Sequence, residues 1–368
     1  MKKFTDFIIS HPKTILIIAV VVTLGLATGI RNIRFEENIK SFLPKDTPSR
    51  ITLNELEEIF GGSDVALIGI GNERESIFNV GTLSKIKAIT DSLDVMDGIN
   101  RVTSLATIKY MQGHEWGLEV TPYLEVEPET EEDAQRIREM FYTDSTYSGI
   151  LVSNDGNYTS IMAQIADDAD VKVVYQDIKR LTDEMRGPEM IYEAGTPIIT
   201  TIISANMKND LRRLIPFVIL LIIILLFACF RSMTGVFLPL AAVIMSLVSM
   251  LGLMGHLGIT FTTFNNIMPI ILLGIGIDYG IHMMTNFYQE AEVYKDKKEA
   301  IREAVSHIAL PMIMACVTTM AGFMSLLTSP LTMHHELGFL LSFGIFMALF
   351  FNMTFVPAFL SILPTPKT

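Results

Sequence analysis

The stretch IMPIILLGIGIDYGIHMMTNFY, residues 267–288, is long enough to cross a bilayer as one helix, yet it holds Asp278, Tyr279 and His282 near its middle. A spanning helix needs about 20 predominantly apolar residues. A carboxylate at its centre costs about 2.5–3.5 kcal/mol on insertion scales. At about 100° per residue, Gly274, Asp278, His282 and Thr285 share one helical face, with Tyr279 and Asn286 beside it. Lipid offers such groups no partners, so this side is expected to face protein or water. Gly276 and Gly280 form a small-xxx-small pair on the opposite side, where another helix can approach closely.

Five further apolar runs have spanning length. The six together lie at about 14–30, 214–230, 236–257, 267–288, 308–327 and 337–363. The first follows Lys2, Lys3 and Lys13 in the manner of a signal peptide. It lacks a small-residue cleavage site and reads as a retained helix. The fold class is therefore a polytopic α-helical membrane protein carrying an inserted domain. The expected parts are 1–30, the N-terminal segment and first span; 31–210, a soluble α+β domain; and 211–368, spans two to six, with an amphipathic linker near 289–305.

Charge follows the same division. Residues 31–210 hold 17 Lys+Arg against 32 Asp+Glu, and the rest of the chain holds 11 against 8. An acidic domain joined to a slightly basic membrane part argues against nucleic acid as a partner. Cys229 and Cys316 both fall in apolar runs, so the inserted domain has no disulfide of its own. Among the short connections, Arg231 and the group Lys295, Lys297, Lys298 and Arg302 lie on one side with Lys2, Lys3 and Lys13. The positive-inside rule places that side in the cytoplasm. Both termini are then cytoplasmic and the inserted domain extracytoplasmic, as in a plasma (inner) membrane protein.

Within that domain SDVALIGIG, INRVTSL and MIYEAG read as strands, and LSKIKAITDSL, EEDAQRIREMF and VVYQDIKRLTDEM as helices. The NDGN turn between GILVS and YTSIMAQIA predicts a hairpin. The alternation fits one or two α+β units of split βαβ type. Past Thr196 a helical pattern runs straight into the second span.

A protonatable carboxylate in low dielectric, tuned by a phenol or imidazole, suits proton-driven work. Asp278 and Tyr279 are the candidate relay. His282, one turn on, has two readings: a relay member, or a partner to a neighbouring hydroxyl. In the fifth run Pro311, Ala315, Thr318, Gly322 and Ser325 align, and Thr318 and Thr319 are expected to reach a neighbouring helix. Asp278 and His282 make only two metal ligands, and His334, His335 and Glu336 lie at a span edge where polar residues are ordinary, so neither metal nor cofactor is expected. No phosphate-cradling Gly-x-x-x-x-Gly-Lys-Ser/Thr loop and no Gly-x-Ser-x-Gly elbow is present, which leaves an enzymatic reading without residues.

One span, a large inserted domain, then five clustered spans with G-x-x-x-D-Y in the fourth resembles the resistance–nodulation–division (RND) superfamily. The chain is most similar to its MMPL-type branch of lipid and hydrophobe exporters. The likeness includes SFLPKDTP (41–48), AGTPIITTIISANMKNDLRRLIP (194–216), FRSMTGVFLPLAAV (230–243), GIGIDYGIH (274–282) and TTMAGFMSLLTSP (318–330). It implies a porter-type outer domain handling lipid or other hydrophobic or amphiphilic molecules, driven by proton flux through the membrane. It also assigns the relay carboxylate to Asp278 and the partner phenol to Tyr279. Family transporters usually hold two six-span halves, and ILPTPKT falls where a second would begin. The expected remedies are a homodimer or other homo-oligomer, or a separate RND half. Two other readings stand beside this one: a non-transporting lipid-sensing or accessory protein, and a protein-export auxiliary like SecD and SecF.

Overall fold

A computed structural model describes residues 2–35, 44, 46–60, 64–114, 117–143, 145–294 and 296–363. Residues 41–43 and 45 of SFLPKDTP and the final five residues of the chain lie outside the described residues. The chain forms two compact units, Pro48–Ile203 and the combination of Met1–Thr47 with Ser204–Thr368.

The second of these is a helical bundle. An amphipathic helix α1 (Lys2–Ser10) precedes α2 (Pro12–Ala27), which ends in a 3-10 turn, Thr28–Asn32. In the other unit, α3 (Pro48–Phe60) precedes β1 (Val65–Gly71), α4 (Val80–Asp94), β2 (Ile99–Thr103), β3 (Lys109–His114), β4 (Gly117–Pro122), α5 (Glu131–Thr143), β5 (Tyr158–Ile165), α6 (Val171–Glu184) and β6 (Met190–Ala194). The bundle resumes along α7 (Thr196–Phe230) and continues with α8 (Met233–His256), α9 (Met268–Val293), α10 (Lys297–Met324) and α11 (Thr332–Ile362).

Strand alternation explains the sheet unit. Ala66, Ile68 and Ile70 of β1 and Ile161, Ala163 and Ile165 of β5 are buried, while their neighbours in sequence are only partly so. That period of two puts one sheet face onto Leu83, Ile86 and Ile89 of α4 and Ile178 of α6. The strand order is β2-β5-β1-β6, with every neighbouring pair antiparallel. β1 and β2, joined through α4, are thus parallel and split by β5; β5 and β6, joined through α6, are split by β1. Asn79 and Asp170 cap α4 and α6 by accepting from Thr82 N and Lys172 N.

The NDGN turn forms, with Gly156 at φ 73° and Ser153 N donating to Tyr158 O. Its first arm pairs with β5 only at Val152–Thr159, so the regular hairpin is β3–β4, which the sequence reading did not contain. α3 was missed as well.

Among the described residues six helices are long and apolar enough to cross a membrane, as the apolar runs indicate. They extend past the runs because a helix continues through polar flanks once its core is formed. The charged stretch 289–305 is the clearest case. Instead of forming an amphipathic linker helix of its own, it divides between the end of α9 and the start of α10.

In the protomer α11 is the central helix, with 72% of its most apolar window buried, against 11% for α7 and for α10. The α9–α10 turn, the α7–α8 corner and the end of α11 meet at one end of the bundle. There Lys297 Nζ donates to Leu363 O, Ser232 and Tyr288 share a 2.6 Å hydroxyl contact, and α1 packs on α10 and α11. At the opposite end Phe261 N donates to Arg34 O at 2.7 Å and Asn265 Nδ2 to Glu336 Oε2 at 3.3 Å.

α2 docks on α8 through glycine. A Cβ built on Gly252 would overlap the Leu26 carbonyl oxygen, and one built on Gly255 would overlap that of Gly29. A Cβ on Gly29 would in turn overlap the carbonyl oxygen of Gly252. Lipid tails are as apolar as leucine, so close backbone approach of this kind, more than apolar burial, holds spanning helices together.

Candidate functional site

The glycines of α9 sort its two sides. A Cβ on Gly276 would lie 2.5 Å from Val243 Cγ2 and 3.4 Å from Ala348 Cβ. One on Gly280 would overlap Pro239 and come within 3.2 Å of Asn352 Oδ1. That side of α9 is therefore pressed onto α8 and α11. A Cβ on Gly274 meets nothing within 4 Å, and the Asp278 and His282 side chains on the same side are 63% and 61% exposed. The protomer thus leaves its spanning carboxylate open.

It opens into a pocket of about 340 Å³ between α9 and α10, lined by Asp278, Tyr279, His282 and Asn286 from one helix. His307, Ile308, Pro311, Met312 and Ala315 line it from the other. Asp278 Oδ1 and His282 Nε2 stand 3.4 Å apart, near enough to attract when the imidazole is protonated but longer than an ordinary hydrogen bond. Tyr279 differs from Asp278. Its ring is buried and its hydroxyl sits by the Cys316 thiol with no hydrogen-bond partner among the described residues.

Two sequence expectations change here. Thr318 and Thr319 do not reach a neighbouring helix in the protomer. Thr318 Oγ1 donates to Met314 O and Ala315 O at 3.0 Å, and Thr319 Oγ1 to Ala315 O at 2.7 Å. A threonine hydroxyl in a helix can always satisfy itself on the preceding turn, and with no facing helix it does. Gly322 likewise packs against nothing within 4 Å of a built Cβ. The aligned residues of α10 face outward beside the open side of α9.

The sequence reading also missed two titratable groups. His307 lines the pocket from α10, and its Nδ1 lies 3.0 Å from Glu290 Oε1 of α9. Both were reachable from spacing. His307 precedes Pro311 by one turn on the aligned face of α10, and Glu290 ends the series Asp278, His282, Asn286 at intervals of four.

His334, His335 and Glu336 do not converge. His334 Nδ1 meets Ser329 Oγ and His335 Nε2 meets Ser329 O, each at 2.6 Å, while Glu336 turns to Asn265. Among the described residues no group of three or more His, Cys, Asp or Glu is placed to hold a metal ion.

A family model described as MMPL family matches residues 41–365. A membrane protein of Methanocaldococcus jannaschii is 26% identical over 373 residues, which are 98% of this chain and 93% of that one. The hopanoid transporter HpnN of Rhodopseudomonas palustris is 31% identical over 94 residues, 26% of this chain and 11% of its own. The trehalose monomycolate exporter MmpL3 of Mycobacterium tuberculosis is 25% identical over 225 residues, 58% of this chain and 23% of its own. The match thus spans nearly all of the archaeal protein but less than a quarter of either transporter.

Proposed function

The chain belongs to the MMPL family, and from that premise we propose that it is a proton-coupled exporter of lipids or other hydrophobic or amphiphilic molecules, working as a homo-oligomer. The observation that carries the proposal is the open carboxylate. Asp278 and His282 face outward from a spanning helix, where lipid would leave them unsatisfied at a cost of about 2.5–3.5 kcal/mol for the carboxylate alone. Something other than lipid must cover that side. A second copy, placing its own α9 and α10 against this one around a two-fold axis, encloses two Asp278–Tyr279 pairs. Gly274 on α9 and Gly322 on α10 supply the small surface for it.

Protonation neutralises Asp278 and so favours whichever packing desolvates it more. A proton shifts the equilibrium between two packings only through its different affinity for each. Alternating protonation then moves α9 against its partner and drives the sheet unit between capture and release of substrate. The α9–α10 end, which gathers Lys2, Arg231, Lys297, Lys298 and Arg302, is the cytoplasmic end on this reading, in the plasma (inner) membrane. The relatives named as a hopanoid transporter and a trehalose monomycolate exporter support a hydrophobic or amphiphilic cargo.

Two experiments test the proposal. In liposomes, export of a fluorescent phospholipid is expected to require a proton gradient. Export that persists at full rate after an uncoupler is added would end the proton-coupled reading. Separately, Gly274→Leu and Gly322→Leu are expected to leave the protomer folded, because nothing packs there, while shifting native mass spectra from dimer towards monomer. Unchanged spectra would remove this face as the interface.

A further inference from the structure

The proton-coupling reading places Asp278 in a pocket but leaves open how protons leave it towards the nearer water. We propose that His307 and Glu290 are the station that passes protons between the Asp278–His282 pocket and the aqueous phase at the α9–α10 end.

The two residues lie on different helices, and one of them reaches that pocket. His307 belongs to the pocket lining, with a side chain 59% exposed, and its Nδ1 is 3.0 Å from Glu290 Oε1. Glu290 is much less open, at 16%. Its carboxylate is thus partly open to water and in direct contact with a group that reaches the pocket. On α9 the polar side chains Asp278, His282, Asn286 and Glu290 recur at intervals of four and so follow one side of the helix from mid-span to its end. Asn286, which also lines the pocket, donates its Nδ2 to His282 O at 3.1 Å. The pocket, of about 340 Å³, has room for several waters, and the two imidazoles and Asn286 among its otherwise largely apolar lining offer them partners.

The transfer needs no co-reactant. The His307 ring takes a proton from the pocket on Nε2 and gives the one on Nδ1 to Glu290 Oε1; Glu290 releases it to water, and the exposed ring regains its first tautomer by giving the Nε2 proton to water and taking one from water on Nδ1. The surrounding charges suit this. Glu303, one turn before His307 on α10, also interacts with it, and is itself bound to Lys2 of α1 at 2.6 Å. Arg302 turns away to Asp6 of α1, at 2.6 Å, and to Glu299. Facing His307 are therefore Glu290 from α9, Glu303 from its own helix, and Asp278 and His282 across the pocket. α11 also packs on α10, but its described titratable groups, His334, His335 and Glu336, are in its first turns, at the far end.

Time-resolved infrared spectroscopy of the protein in nanodiscs after a pH jump tests this without a known substrate. The carboxylic acid band of Asp278 is assigned as the one missing from Asp278→Asn. In His307→Gln and in Glu290→Gln, which keep a hydrogen bond but cannot relay a proton, that band is expected to rise about 100-fold or more slowly than in the wild type, the scale on which positioned acid–base groups act. Imidazole added to His307→Ala is expected to restore the rate, which a purely structural pair would not show. If the His307 variants fail to fold, Glu290→Gln decides alone. An unchanged rate in the Gln variants overturns the proposal, since protons then reach Asp278 faster by another route. Failure of any band to depend on Asp278 would instead overturn the proton-coupled reading on which this proposal rests.

Discussion

Asp278→Asn is expected to abolish export while leaving the fold intact. The amide matches the carboxylate in shape and can still hydrogen-bond, but it cannot take up or release a proton. If coupling runs through this group, the export rate falls about 100-fold or more, the scale on which a positioned acid or base acts. Stability is a separate matter. The side chain is 63% exposed in the protomer, and its one close partner is His282 at 3.4 Å. A change at so open a position is expected to alter unfolding by no more than about 0.5 kcal/mol. Export and thermal unfolding should be measured on the same nanodisc or liposome preparation. Export near the wild-type rate with proton dependence retained would show that Asp278 is not the coupling group. Lost export with lost folding would show instead that the carboxylate holds the bundle together.

Gly255→Val is expected to be the most damaging small substitution in the membrane bundle. A Cβ there would overlap the Gly29 carbonyl oxygen and also reach Ile33 Cγ1 at 3.2 Å. The first obstacle is backbone, which cannot rotate aside as a side chain can. Relief requires α2 and the 3-10 turn after it to move off α8. That movement would also loosen Gly252 from Leu26 and stretch the 3.2 Å contact of Thr28 Oγ1 with His256 Nε2. Overpacking of a core typically costs about 1–3 kcal/mol, and a backbone-to-backbone clash belongs at the upper end. The control is Gly25→Val on α2, where a built Cβ meets nothing within 4 Å. Melting in nanodiscs should fall sharply for the first variant and stay near wild type for the second. Equal melting temperatures would mean that α2 does not pack on α8 through this seam.

Much of the architecture was legible because it depends on local properties. The split βαβ pattern followed from strand alternation and from turn residues such as those around Gly156. The two sides of α9 followed from helical periodicity, with Gly276 and Gly280 covered and Gly274, Asp278 and His282 open. The β3–β4 hairpin was not legible because KYMQGH carries no clean alternation and GLEVTP alternates over only four residues. The supposed linker at 289–305 failed for a different reason. Charge marks where a chain meets water but does not say whether the helix stops there.

The candidate site divides in the same way. Asp278 was evident because a carboxylate in an apolar run is costly wherever the helix packs. The pairing of His307 with Glu290 joins helices across a turn, and the docking of Gly255 on Gly29 joins segments more than 200 residues apart. Which residues meet between helices depends on crossing angle, axial offset and rotation, and periodicity within one helix specifies none of these. By itself, then, the sequence determined six spanning helices, an inserted α+β unit and one conspicuous carboxylate, because length, polarity and alternation are local. Only the tertiary structure decided which helices cover the Gly276–Gly280 side of α9, that Thr318 and Thr319 serve their own helix, and that Asp278 opens into a pocket shared with His307, because packing chooses partners at a distance.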